Sequence, residues 1–508
     1  MPNYKKKTLR SSQIVQGTIH RKSFFSFCVS LFILFSIMNS LLHGAAWKTT
    51  RAWSELEELG YARWVEQLGQ RQWKSAQKML LNQRTNSLYH PSDERFTFWA
   101  DCGDLPFILR SYYAYKRGLP TIITTVRGGN YSATPNPTVS MLTNESFQGS
   151  AHEFFNRIPN TINTANLRTD YRQGNTSTYP VALNREAIRP GTIFYDPNGH
   201  AAVVCSVKND GTIHFIDAHP DQSITRTIFG PKLSWKTSSH TGGFINYRPV
   251  VISRGRIMFQ NDLNKLPHLS TMQHRMGKDY HIKTKLLLSK QLLDPEKDLA
   301  QYILQDTFLE LQNRVAAVQS GWKIAKHNSI KTPPNIYYGA GPWEDFSTPG
   351  RDIRLRKSLL HIPERIKNYL SLAQKSPELL TANSRNPEKL LATLIKTQDR
   401  LFRTLIIEYP NSEDQLISLT LNDIEKRIFL LSFNPNHPPE LRWGATGKEL
   451  STASRYYPRY YISYQNEQLW RNRLDTKNGS MATSDRDNPR IPPPHNVTRM
   501  VQQIKVLP

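Results

Sequence analysis

The chain of 508 residues carries three cysteines, too few for a disulfide-rich scaffold or a tetracysteine zinc module. It is also short of acid. Only 41 Asp and Glu stand against 66 Lys and Arg, a formal charge of +25 at pH 7. That excess predicts attraction to a polyanion without saying which; DNA, RNA, anionic lipid and anionic cell-wall polymers all fit charge alone. No internal repeat is apparent. No spacing of His, Cys, Asp and Glu matches a known zinc pattern, so neither a metal nor a cofactor is expected. Apolar material is not lacking. With 38% hydrophobic and 10% aromatic residues the chain can build sizeable cores, and its length fits about two to four domains.

The N-terminus narrows the location. The first 46 residues hold six basic side chains (Lys5, Lys6, Lys7, Arg10, Arg21 and Lys22) and no acidic one. A mostly apolar run from Phe24 to Leu42 follows, then Gly44-Ala45-Ala46. This is the order of an export signal: basic region, apolar region, small-residue cleavage site. The alternative is an uncleaved anchor that attaches the protein to a membrane through residues 24–42. Either way the positive-inside rule puts the rest of the chain outside the cytoplasm, periplasmic or secreted. No nucleic-acid partner is then expected. A cell-envelope peptide or an anionic envelope polymer explains the charge better. Removing residues 1–46 takes Cys28 away and leaves Cys102 and Cys205.

Beyond the signal the chain divides into three regions. Residues 47–255 mix helix and strand patterns, 256–445 are mostly helical, and 446–508 form a polar tail with tyrosines early and prolines late. In the helical region Asp294-Pro295 and Asn386-Pro387 are N-caps followed by proline at the first helical position. Leu390, Leu391, Leu394, Ile395, Leu401, Phe402 and Leu405 then recur at helical spacing, and Pro410 is expected to end that helix. Residues 422–433 predict another helix. These stripes read as core. Two aromatic stretches with basic neighbours, Tyr337, Tyr338, Trp343, Phe346 and then Tyr456, Tyr457, Tyr460, Tyr461, suit either acidic sugar rings or ordinary packing, and packing is the better reading.

The chemistry concentrates in two segments. In Trp99-Ala100-Asp101-Cys102-Gly103-Asp104-Leu105-Pro106, the residues Leu105, Ile108, Leu109 and Tyr112 predict an amphipathic helix ended by Gly118 and Pro120. Cys102 sits on the approach to that helix, where unpaired N–H groups favour a thiolate. Asp104 is the expected N-cap, because it leaves Pro106 near the start. The second segment runs from Gly191 to Asp221. Two strand-like runs flank Lys208-Asn209-Asp210-Gly211, which predicts a hairpin. A loop of two or four residues would set His200 opposite residue 219 or 221, with Asp217 and His219 on its face. Cys102 would attack, His200 would take its proton, and Asp217 or His219 would orient the imidazole. The Cys102 N–H is a candidate oxyanion donor. Three alternatives compete: a Cys102–Cys205 disulfide, a metal held by His200, Asp217, His219 and His214, and an inactive thiol fold used for binding.

At these residues the chain resembles the papain-like thiol superfamily. DCGDLPFILRSYYAYKRGLP is similar to the cysteine helix of transglutaminase-like proteins, and GHAAVVCSVKNDGTIHFIDAHPD to their histidine and aspartate strands. PGTIFYDPNGH looks like the entry to the histidine strand in NlpC-type peptidases and CHAP amidases, with Thr192 where those enzymes usually carry Asp. The resemblance spans about a quarter of the chain. It implies an α+β thiol domain, with a Cys-bearing helix against an antiparallel sheet, followed by a helical accessory domain. It implies amide hydrolysis or acyl transfer through a Cys102 thioester. Cys102 and His200 match both branches, Asp217 matches the transglutaminase-like aspartate, and His219 lies near the third polar residue of the NlpC-type enzymes. The rival expectation is a non-enzymatic envelope-binding protein that works through its basic helical surface.

Overall fold

A computed structural model describes residues 45–126, 139–168, 170–174, 176–197, 199–233, 242–333, 341–456, 458, 460, 462–464 and 497–506. The segment expected to direct export therefore lies outside the described residues except for Ala45 and Ala46. Among the described residues no helix is long and apolar enough to cross a membrane.

The fold is a mixture of helices and antiparallel sheet. Helix α1 (Glu55–Leu68) starts at a Ser54 cap, and α2 (Leu105–Arg117) ends at Gly118 in the left-handed conformation that a residue without Cβ adopts without strain. The TIITTV run supplies β1 (Ile122–Val126), which pairs with β2 (Val139–Thr143) in a separate hairpin. The main sheet has six strands: β3 (Thr178–Pro180), β4 (Ile193–Asp196), β5 (His200–Val207), β6 (Ile213–Ala218), β7 (Ile224–Ile228) and β8 (Gly243–Tyr247). Their order is β3-β8-β4-β5-β6-β7, and all neighbours are antiparallel.

Strand alternation gives the sheet two apolar faces. Ile193, Tyr195, Ala201, Val203, Cys205, Ile216 and Ala218 join a core with α1 and α2, where Trp64, Leu68, Leu105, Ile108, Leu109 and Tyr112 are buried. Phe194, Ala202, Val204, Ile213, Phe215 and Phe244 meet Leu266, Tyr280 and Leu288 on the other face. The sheet unit thus continues past residue 255, through the hairpin β9 (Val250–Ser253) with β10 (Arg256–Phe259), to α3 (Tyr280–Leu288).

The second core is helical. It gathers α4 (Pro295–Tyr302), α5 (Leu309–Ala325), α6 (Pro349–Lys375), α7 (Pro387–Thr404) and α8 (Leu421–Arg427). Both expected caps form, Asp294 accepting from the Lys297 N–H and Asn386 from the Lys389 N–H. Leu390, Leu394, Leu401 and Phe402 are buried. Helix α7 ends at Thr404, well before Pro410. Ile406–Pro410 instead forms β11, paired with β12 (Leu416–Thr420), because its β-branched pair alternates exposed and buried on the helical core. The tail is tied back: α9 (Val497–Gln502) buries Val497 and Val501 in that core. Trp343 is buried beside Trp322 and Phe433, as packing requires, whereas Tyr337, Tyr338, Tyr457 and Tyr461 lie outside the described residues.

A π-helical turn, Ile303–Phe308, separates α4 from α5 and carries Asp306 into the joint between the halves. There the Lys232 ammonium is 2.7 Å from Asp306 and 2.9 Å from Glu310, with almost no solvent access. A carboxylate left alone at such depth is costly. Lys232→Ala is expected to lower stability by about 3–5 kcal/mol, read from urea unfolding followed by tryptophan fluorescence.

Candidate active site

The hairpin reaches the expected register by an unexpected route. Residues 208–212 form a five-residue loop between Val207 and Ile213, which are paired. That odd loop alone would set His200 opposite an even-numbered residue. A bulge between Val204 and Ser206 takes up one residue of β5, so Val204 pairs with Phe215 and Val203 with Ile216. Continued three pairs further, the register sets His200 opposite His219. Asp217 then falls on the same face as both.

The side chains meet there. The His200 Nε2 is 2.9 Å from Asp217 Oδ2. The other carboxylate oxygen accepts from the Thr225 hydroxyl, and Thr225 Oγ1 lies 2.8 Å from His219 Nε2. His219 itself is 3.8 Å from Asp217 Oδ1. The two imidazoles lie nearly parallel, with centroids 6.1 Å apart and planes at 14°. Asp217 and not His219 is therefore the partner of His200. Burial alone would raise the Asp217 pKa. The two imidazoles and the Thr225 hydroxyl reverse this and hold it far below the usual carboxylate range. His219 is held well below its ordinary value, by burial first and then by Arg351.

Cys102 approaches along the backbone. Its Sγ lies 3.8 Å from the Gly199 carbonyl and also meets the Ala201 N–H, the two residues that flank His200. Its hydrogen bond goes to that carbonyl and not to the imidazole. With Nε2 committed to Asp217, the nitrogen left to His200 for a thiol proton is Nδ1.

The cap differs from expectation. Asp104 makes no side-chain cap bond. Asp101 caps instead: its Oδ1 accepts from the Gly103 and Asp104 N–H groups, and its carbonyl accepts from Leu105. Asp104 Oδ2 in turn accepts from the Asp101 N–H, closing a reciprocal capping box. Cys102 is therefore the first residue of the turn, and Pro106 is tolerated at its end because the missing N–H costs only one early bond. Two of the turn's free N–H groups, those of Gly103 and Asp104, are spent on a carboxylate, which offsets the dipole that would acidify the thiol. Burial, then Asp101, push the Cys102 thiol well above its ordinary value. Asp104, also buried beside Asp101, is raised to about 9. The expected acidified thiol is thus absent from this ground state.

Among the alternatives, the disulfide does not form: Cys102 and Cys205 are both free, and Cys205 sits on the opposite face against Gly69 at the end of α1. His214 is three residues from Asp217 on one strand and so points to the other face. Among the described residues no group of three His, Cys, Asp or Glu side chains stands ready to hold a metal.

One contribution was invisible in the sequence. The helical half reaches the site: Arg351 of α6 is 3.9 Å from Asp221, and with Arg354 it acts on His219. Glu344 and Asp345 of the short helix Pro342–Phe346 feel Asp101 and Asp221. Nothing in the helix patterns marked these charges, since their partners lie more than a hundred residues away. Comparison with family models, curated proteins and solved structures finds no match to the chain, so the site rests on its own geometry.

Alkylation of Cys102 is expected to be slow at neutral pH and to keep rising past about pH 8.5, where an ordinary cysteine is half ionised. Asp101→Asn keeps the cap and removes the charge. It is expected to speed alkylation at pH 8 by roughly three- to tenfold, measured with iodoacetamide and mass spectrometry.

Proposed function

We propose that the chain is a cysteine-dependent amide hydrolase or acyl transferase, working through a Cys102 thioester in a domain of the papain-like kind. The observation that carries this reading is the bonded His200–Asp217 pair beside a thiol held against the backbone on both sides of His200. In the reaction the Cys102 thiol gives its proton to His200 Nδ1 as sulfur bonds the substrate carbonyl carbon. The oxyanion takes the Cys102 N–H, which has no acceptor among the described residues. The C–N bond then breaks and the amine leaves with the proton from His200. Water returns the free acid, or an amine forms a new amide, and the thiol is restored. The high thiol pKa supports proton removal during attack in place of a preformed thiolate.

The substrate class follows from location and charge. The export signal and the basic surface support a cell-envelope substrate such as a peptidoglycan peptide. Arg351 and Arg354 act on His219 from α6 and suit a carboxylate on that peptide. A second reading, an envelope-binding protein with an inactive thiol fold, is favoured by the neutral thiol alone.

Incubating the mature protein with envelope peptides and hydroxylamine, followed by mass spectrometry, separates the two. Cleavage or hydroxamate formation is expected, reduced at least about a thousandfold in Cys102→Ala and roughly a hundred- to ten-thousandfold in Asp217→Asn. No turnover, with envelope binding equal in wild type and Cys102→Ala, would overturn the enzyme reading. For a carboxylate-bearing peptide, R351A/R354A is expected to raise KM about tenfold with kcat little changed, an effect lost when that carboxylate is amidated.

A further inference from the structure

The site holds two imidazoles and one carboxylate, and Thr225 stands between the carboxylate and one of them. All three groups of this branch are buried: Asp217 is 4% exposed, Thr225 and His219 each 7%. At such depth the donors and acceptors must balance. Thr225 has one hydroxyl proton. A carboxylate can only accept, so that proton lies on the bond to Asp217 Oδ1. The Thr225 oxygen then has only lone pairs for His219, and the 2.8 Å contact requires a proton on His219 Nε2. The same logic puts a proton on His200 Nε2, which faces Asp217 Oδ2. Both rings thus carry a proton on Nε2, and Nδ1 is the nitrogen of His200 that does not face Asp217.

We propose that Thr225 is a positioning residue that reserves Asp217 for His200, by holding His219 off the carboxylate and relaying it through a hydroxyl. This deepens the thiol-hydrolase reading and rests on it for its meaning. His219 Nε2 already lies 3.8 Å from Asp217 Oδ1. Without the hydroxyl it is a donor poised to close on that oxygen. A direct bond would let it compete with His200 for the carboxylate that both rings approach. The groups that face His219 are Asp217 and His200 from the sheet and Arg351 and Arg354 from α6. The guanidiniums oppose a charge on His219, whereas a direct carboxylate bond would favour one, so the hydroxyl decides which of these wins.

The test uses the full mature chain with ¹⁵N-labelled histidine. Nitrogen chemical shifts identify each tautomer, and the iodoacetamide rate of Cys102 against pH reports on His200. The wild type is expected to show a proton on Nε2 of both rings. T225S retains the hydroxyl and is expected to keep both tautomers. T225V preserves shape without the hydroxyl. Its His219 midpoint is expected to rise, and the dependence of Cys102 alkylation on His200 to weaken roughly 10- to 100-fold, the size of one hydrogen bond to a charged group. His219 found with bare Nε2 in the wild type overturns the proposal, and needs no variant to fold. A folded T225V with unchanged midpoints and alkylation overturns it too, as does a T225S that behaves like T225V. If Cys102→Ala still cleaves amides, the thiol reading falls while the tautomer result stands on its own.

Discussion

A carboxylate buried as deeply as Asp217 has to be bonded at both oxygens, and the rest of the site is arranged around that requirement. One oxygen takes the imidazole of His200 and the other the hydroxyl of Thr225. The carboxylate and its two donors come from three adjacent strands, so the requirement is met only when β5, β6 and β7 hold one register. The bulge beside Cys205 is the device that sets it. A slip of one residue would turn His200 to the opposite face and leave a buried charge without partners.

The thiol is governed by a second balance. A turn at a helix start would ordinarily favour a thiolate. Here Asp101 takes up N–H groups of the turn and brings negative charge beside the sulfur, while Asp104 closes the capping box on the Asp101 N–H. Stability of the turn is obtained at the expense of thiol acidity. The neutral thiol, bonded to a carbonyl next to His200, is one proton transfer away from attack.

The helical half is more than an attachment. Lys232 binds it to the strand that carries Thr225 through Asp306 and Glu310, and α6 brings Arg351 and Arg354 to the imidazole side. The charge of the second half therefore acts directly on groups of the first.

Local pattern was sufficient for much of this. Asp294-Pro295 and Asn386-Pro387 started helices where caps and proline require it, and the hairpin around residues 208–212 followed from its turn residues and flanking strands. Cys102, His200 and Asp217 were legible because a thiol before a helix and two polar groups on one face of a hairpin are local arrangements. Other features depended on distant partners. The bulge at Cys205, the choice of Asp217 over His219, and the role of Thr225 are set by packing of neighbouring strands. Asp101 displaced Asp104 as the cap because only the folded turn shows which carboxylate reaches the N–H groups. Residues 406–410 became a strand because the helical core offered a face that period-two burial could use. The sequence by itself determined which residues could do chemistry and in which elements they lie, since these are properties of near neighbours. Tertiary structure alone decided their protonation, partners and enclosing charges, because burial and electrostatics depend on groups that only folding brings together.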